Sequence, residues 1–590
     1  MIKMVKAKTS AVEKAMTPLQ LGSSPDGSRS LQACLKHGTA AQRADVLDIM
    51  NLSIPDLLVG TAAGGALVEK ILRYCPKLGD DLADAEASTE GAAVDEKKLK
   101  KPQALSKSEK ERQNAIVEKI LKPLLQLSEN KLTKLFFHKF GCRCFSQLLN
   151  CEFLKAGLRN QLLNKVQVPR QVSLLCPGYD SAQKISVFLS SKKLTESGKK
   201  EEVVGKHLLP HLSDLIDRCI DKELFDQPIV HGFLALYTQL LMDFEGEATS
   251  AEEKKTEDGG AAADSSTSKT SGLTMKHFVE QRMMIEAAPH LMQTKDGAAA
   301  LIRILGYCSA KQKKTLVKEF KGRFKDMAQN NVCYLVVCRL LQTVDDTVLS
   351  QKQVLAEIVA TAGSTAEDSL ESLLQSSLYV RKVLLSCLEE PTSRHFSPFE
   401  LDTCFRLKAP ASVKDAARRR EELRKYLAPI LEKSFFSSAN TASLFGAPTS
   451  DVAAVMKVQL LPSFVVHFYL HESSTEMLKT TIARQLFADA ETAEKLLSNT
   501  GAGHTAMLVL AKNNEHFAQK LWEFVVADEE RLERLVTSRA PYLIAEAYKT
   551  TKSADMKKRC VLLKPIVEKA EKAGKMVKAA KMLLQVLDEH

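Results

Sequence analysis

Apolar residues in this chain fall into short helical stripes, and the stripes keep reopening behind a small residue. In Pro25-Asp26-Gly27-Ser28-Arg29-Ser30-Leu31-Gln32-Ala33-Cys34-Leu35 a glycine precedes apolar positions at Leu31, Cys34 and Leu35. The phrase returns as Gly64-Gly65-Ala66-Leu67-Val68-Glu69-Lys70-Ile71-Leu72, 37 residues on when Gly27 and Gly64 are set in register. Further copies are Phe140-Gly141-Cys142-Arg143-Cys144-Phe145-Ser146-Gln147-Leu148-Leu149 and Asp296-Gly297-Ala298-Ala299-Ala300-Leu301-Ile302-Arg303-Ile304-Leu305. Looser versions lie at 332–337 and 380–385, and a degenerate one at 503–510. Spacing near i, i+3, i+4 and i+7 predicts a helix with one buried face, and the small residue allows close approach to the preceding turn. Each phrase is followed by a polar turn and a second amphipathic segment. Lys36-His37-Gly38-Thr39 leads to Val46, Leu47, Ile49 and Met50, and Gly306-Tyr307-Cys308-Ser309 leads to Leu316, Val317 and Phe320. The unit is a helical repeat of roughly 35–40 residues, and the fold class that follows is an all-α solenoid.

Composition agrees with this pattern. A chain of 590 residues exceeds the size of a single core, so several domains or one extended array are expected. Hydrophobic residues make up 45% and aromatic residues only 6%, which favours helix over sheet. A net charge of +11 is modest for this length, so the placement of charge carries more information than its total. The 13 cysteines are scattered without a CxxC. Cys34, Cys75, Cys308 and Cys387 sit in apolar helical stretches and read as small buried hydrophobes, with a reducing compartment and no zinc site. No run of eighteen apolar residues or secretory core follows Met1, so no membrane association or secretion is expected. Histidines lack HExxH spacing, and GxxxxGK[ST], GxGxxG and GxSxG are absent. Gly60-Thr61-Ala62-Ala63-Gly64-Gly65 lacks the Lys-Ser/Thr of a phosphate loop and fits the repeat register instead. No enzyme, catalytic residue, metal or cofactor is expected.

The repeated phrases resemble the second helix of Pumilio (Puf) repeats. Two longer stretches resemble the divergent nucleolar branch of that family, the Penguin or Puf-A-like proteins. One runs from Asp296 to Asp346 with its lysine-rich turn and the close Leu341-Gln342-Thr343-Val344-Asp345-Asp346-Thr347. The other joins Tyr379-Val380-Arg381-Lys382-Val383-Leu384-Leu385 to Lys414-Asp415-Ala416-Ala417-Arg418-Arg419-Arg420-Glu421-Glu422-Leu423 and resembles the entrance to that branch's Pumilio-like C-terminal (CPL) region. The resemblance covers most of 15–530, only patchily between 150 and 280. It implies a solenoid of Puf/armadillo-like type, a curved or L-shaped superhelix.

The expected organisation begins with a basic tail at 1–14 and N-terminal repeats at 15–243, which carry a lysine-rich insertion at 77–113. An acidic, Ala/Ser-rich disordered loop follows at 244–272, then central repeats at 273–388 and a proline-containing loop at 389–412. CPL-like repeats fill 413–550. A basic helix closes the chain at 551–590, where Lys549 to Lys581 holds eleven Lys or Arg against three acids.

In Puf proteins three side chains of the second helix address one base, two at its edge and one by stacking. That pattern falls here on Ser28 and Gln32 as edge readers with Arg29 as stacker, a combination that resembles the family's adenine-reading set. The code then decays through Gly65, Ala66 and Glu69, then Cys142, Arg143 and Ser146, then Ala298, Ala299 and Ile302. It continues as Cys333, Tyr334 and Val337, then Arg381, Lys382 and Leu385. Small and aliphatic side chains neither stack nor accept a base-edge hydrogen bond, so no long sequence-specific motif is expected, and phosphate contacts would supply affinity. The RNA-binding candidates are Ser28, Arg29, Gln32, Lys139, Arg143, Lys295, Arg381, Lys382, Lys557, Lys558 and Arg559. By resemblance the protein is an RNA-binding ribosome-biogenesis factor of the nucleolus or nucleus acting on large-subunit precursors. Its expected partners are ribosomal RNA or its precursor and large-subunit ribosomal and assembly proteins, without homo-oligomerisation. The alternatives are an mRNA-binding translational regulator and a protein scaffold without RNA contact.

Overall fold

The computed structural model describes residues 16–75, 107–151, 153–176, 178–191, 194, 200–257, 274–282, 284–360, 370–407, 412–436, 460–472, 474–498, 501–528, 530–572 and 578–589. Among these residues the secondary structure is entirely helical, with no β-sheet. The chain forms two compact units, 1–304 and 305–590.

In the first unit the repeated phrases form the helices α1 (Pro25–His37), α2 (Ala62–Tyr74), α3 (Lys139–Leu149) and α5 (Lys295–Tyr307), with α4 (Pro228–Glu257) between the last two. α1 packs on α2, α2 on α3 and α3 on α4. α5 joins α4 through Arg303, whose Nη1 donates to the Ala235 carbonyl at 3.0 Å. In the second unit the series is α6 (Tyr334–Thr343), α7 (Leu378–Leu388), α8 (Leu461–Leu470), α9 (Ala502–Asn513), α10 (Ala540–Thr551) and α11 (Lys578–Glu589), each packed on the next. Apolar stripes supply the contact surfaces. Phe136, from the helix Glu129–Phe136, sits 6.1 Å from Phe145 of α3 and 5.2 Å from Phe233 of α4, which ties two repeats together.

The glycine register has a direct steric cause. A Cβ on Gly27, Gly64, Gly141 or Gly297 would fall inside 3.0 Å of the backbone carbonyl oxygen of Leu21, Leu57, Leu135 or Leu291, respectively. Each of these four repeats therefore brings its long helix against the end of the preceding short one at a distance that only glycine permits. Three residues earlier a hydroxyl caps the helix. Ser24, Thr61, Thr294 and Ser377 accept from the N–H of Gly27, Gly64, Gly297 and Val380. A second recurring device uses a buried cation. Arg43 Nη1 donates to the Tyr74 carbonyl at 3.4 Å, and Lys313 Nζ to the Thr343 carbonyl at 3.0 Å, so each compensates the C-terminal end of a helix in the next repeat.

The structure revises four boundaries. α4 runs on to Glu257, into the span expected to be an acidic loop from 244, because Glu, Ala and Lys there are strong helix formers. The helix Lys107–Leu125 begins inside the lysine-rich insertion. The proline-containing segment 389–412 includes the short helix Pro398–Glu400, capped by Ser397, and a π-helical turn at Leu401–Phe405. The C-terminal basic stretch is not one helix: Ala554–Val561, Lys564–Lys572 and α11 are separate, and Pro565 opens the second. The tail 1–14, all of 77–106 and residues 258–272 lie outside the described residues.

Candidate nucleic-acid interface

Three registers of the long helices were candidates for reading bases, and the structure turns only one of them outward. The first register, Ser28, Gly65, Cys142, Ala298, Cys333 and Arg381, is buried in every repeat. Ser28 is fully buried, with Oγ donating to the Ala63 carbonyl at 2.7 Å and accepting from Gln32 Nε2 at 2.9 Å. The pair read as edge-reading is thus a joint between α1 and α2. The cause is geometric: Gly27 faces the Leu21 carbonyl, so the next residue turns toward the neighbouring helix.

The middle register does look outward in the first unit. Arg29 is exposed, and Ala66, Arg143 and Ala299 are half-buried. Lys139 and Lys295 are exposed and share another register, two residues before Gly141 and Gly297. Arg29, Lys139, Arg143 and Lys295 form no ion pair among the described residues. Arg29, Lys139 and Arg143 lie along the continuous stack α1–α2–α3.

In the second unit two candidates are spent internally. Arg381 is only 5% exposed, and its Nη1 donates to the carbonyls of Leu374 and Gln375, so it closes the turn before α7. Lys382 pairs with Glu400 at 2.5 Å, with its ammonium 5.9 Å from the Tyr334 ring and 5.7 Å from that of Phe396. Tyr334 donates its hydroxyl to the same Glu400 carboxylate. Glu400 thus binds the middle-register residues of two consecutive helices, α6 and α7. Burial raises the Glu400 carboxyl, but hydrogen bonds from Lys382, Tyr334 and Ser397 outweigh it and hold the pKa below the ordinary value. The Tyr334 phenol is pushed up by burial and by Glu400. Cys404 completes the cover, its carbonyl accepting from Arg339 Nη1 at 3.2 Å and its thiol donating to the Leu335 carbonyl at 3.5 Å. Nothing in the phrases themselves announces this strap, because its partners lie from 18 to 69 residues away in sequence.

Lys557 is half-buried, and Lys558 and Arg559 are exposed on the helix Ala554–Val561. Arg559 Nε donates to Asp555 at 3.2 Å, and Asp555 also accepts from Trp522 Nε1 at 2.9 Å, so the cluster is partly neutralised. Of the thirteen free thiols, Cys34 and Cys151 are half-buried and the rest buried, and burial pushes Cys75, Cys219 and Cys308 up to about 12. Among the described residues no group of His, Cys, Asp and Glu could hold a metal ion, and no helix is long and apolar enough to cross a membrane.

No protein-family model matches the chain. Among curated proteins, rat Pumilio homolog 3 is 24% identical over 233 residues, 39% of this chain and 33% of the rat protein. Mouse Pumilio homolog 3 is 27% identical over 185 residues, 29% of this chain and 27% of its own length. The chain is a distant relative of the Pumilio proteins. The matched stretches span a third or less of those relatives. Human Puf-A in complex with DNA superposes with a TM-score of 0.60 at 15% identity, covering 99% of this chain and 94% of that one. Human Puf-A alone gives 0.56 over the same coverage. The fold of this Pumilio relative is therefore an all-α helical-repeat architecture similar to that of human Puf-A.

Proposed function

We propose that the chain binds structured RNA through its phosphate backbone and shape, as an assembly factor on large-subunit ribosomal precursors in the nucleolus. We place it with the Penguin or Puf-A-like branch that carries a CPL region. Ribosomal and assembly proteins would occupy other faces. The observation that carries the reading is the split between registers. Ser28 and Gln32 are bound to each other and Tyr334 and Lys382 to Glu400, while Arg29, Lys139, Arg143 and Lys295 stay unpaired at the surface of the first unit. A surface of this kind attracts phosphates without discriminating bases. Human Puf-A, whose fold is similar, was solved with DNA, and that supports nucleic acid as the ligand class. The mRNA-regulator alternative loses its main support, since Ser28 and Gln32, the two edge-reading members of the one code-like triad, are engaged within the protein.

The test is fluorescence anisotropy of the full chain with a structured RNA hairpin. Replacing Arg29, Lys139, Arg143 and Lys295 together with alanine is expected to weaken binding by about tenfold or more. Gln32→Ala should leave it within about twofold, because that amide faces Ser28. Wild-type affinity in the fourfold variant would overturn the reading, and absence of RNA binding by the wild-type chain would favour the scaffold.

A further inference from the structure

Between α6, α7 and the helix Ala416–Phe436 lies a cavity of about 170 Å³, roofed by Phe405 of the strap. Its polar lining comes from Arg339, Arg419, Arg420, Gln342 and Ser386, and no carboxylate contributes. Arg339 is 2% exposed. Its Nη1 reaches Gln342 Oε1 at 3.5 Å and the Cys404 carbonyl at 3.2 Å, whereas its Nε and Nη2 have no hydrogen-bond partner. Arg419 is 5% exposed with Nε likewise unpartnered. Its counter-ion is Asp345, which is already shared: Oδ1 accepts from Ser412, from the Lys414 N–H at 3.2 Å and from Arg419 Nη2 at 3.4 Å. Lys313, itself buried, adds a third positive charge that acts on both arginines. Burial lowers the pKa of Arg339, Arg419 and Lys313, although Asp345, Asp415 and Glu422 act against it at Arg419.

Buried guanidinium groups are stable only when paired and fully hydrogen-bonded, and here Nε and Nη2 of Arg339 and Nε of Arg419 lack acceptors. A tetrahedral oxyanion supplies both the charge and the acceptors, and the cavity has room for one with water. We propose that the cavity lined by Arg339, Arg419 and Arg420 is a binding site for a phosphate-class oxyanion. Arg420, half-buried at the rim, meets the entering anion, and Arg339 and Arg419 hold it against Gln342 and Ser386. The anion then links α6 and α7 to the helix Ala416–Phe436, so occupancy raises the stability of the second unit.

The probe is inorganic phosphate added to the full chain at constant ionic strength, with chloride as the control. Saturable 31P line broadening is expected, along with a melting temperature that rises with phosphate. Arg420→Ala, at a position open enough to spare the fold, should weaken phosphate binding by about tenfold or more. Arg339→Lys, which keeps charge but loses the fork, should do the same. Titrating a short RNA into the phosphate-loaded protein separates the sources. Displacement assigns the site to a nucleic-acid phosphate, and persistence assigns it to a free anion. Non-saturable broadening, or equal phosphate affinity in wild type and Arg420→Ala, would overturn the proposal. Both readouts are independent of whether the chain binds RNA, so loss of the proposed function leaves the result interpretable.

Discussion

At the residue scale, the most constrained positions are the glycines that begin the long helices. Gly141 faces the Leu135 carbonyl so closely that no side chain fits without moving one helix. Gly141→Ala is expected to destabilise the first unit by about 2–4 kcal/mol, measured by chemical denaturation, whereas Gly178→Ala, with open space at its Cβ, should be nearly neutral. The same constraint explains why Ser28 turns toward Ala63 of the neighbouring helix. A residue fixed one position after a buried glycine has its direction chosen for it by the neighbouring helix. Its hydroxyl and the Gln32 amide look like recognition groups in sequence because composition records chemistry and not orientation.

At the element scale, the strap 396–405 decides what α6 and α7 present. In α1 the residues Arg29, Ala33 and Lys36 are exposed, whereas their counterparts in α6, Tyr334, Cys338 and Leu341, are all buried. Glu400 anchors that cover to Lys382, and the two side chains are 9% and 12% exposed. Glu400→Ala would strand the lysine beneath the strap and cost about 3–5 kcal/mol. Lys382→Met in the same background should recover part of that loss in a double-mutant cycle. The joint between α4 and α5 gives a pH signature. His231 Nε2 donates to the Phe225 carbonyl at 2.7 Å, and Nδ1 accepts from Thr294 Oγ1 at 2.8 Å, so the ring is held neutral. Burial lowers its pKa below 6.5, as it does for His395 and His504. The unfolded chain therefore binds more protons below pH 6.5, and the stability present above that pH is lost as pH falls through the depressed folded values. The melting temperature should decline between about pH 6.5 and 5, before the carboxylates titrate, and His231→Gln should flatten part of that decline.

At the scale of the whole molecule, an interface built from dispersed unpaired cations implies little discrimination and strong salt dependence. Single-stranded RNAs of equal length and different sequence should bind within about threefold of one another, and the logarithm of affinity should fall by about 0.7 per contacted phosphate for each tenfold rise in salt. A preference of a hundredfold for one sequence would contradict this. Much of the architecture was legible. The glycine register and the paired amphipathic segment follow from local sterics and periodicity, and both appear at α1 and α5. α8 was not legible, because it is buried on nearly every side and carries no polar stripe to set its register. α4 escaped because it opens without the phrase, although His231 and Gly232 stand near its start.

The sequence by itself determined the repeat and the all-helical class, since both depend on residues close together in the chain. Tertiary structure alone decided which cations remain free. Arg29 and Arg381 look alike as letters, yet one is exposed and the other closes a turn. Lys382 is claimed by a carboxylate 18 residues away, and Arg339 and Arg419 meet across 80 residues of chain around one cavity. Burial and pairing are properties of what packs against a residue, and only the folded chain brings those neighbours together.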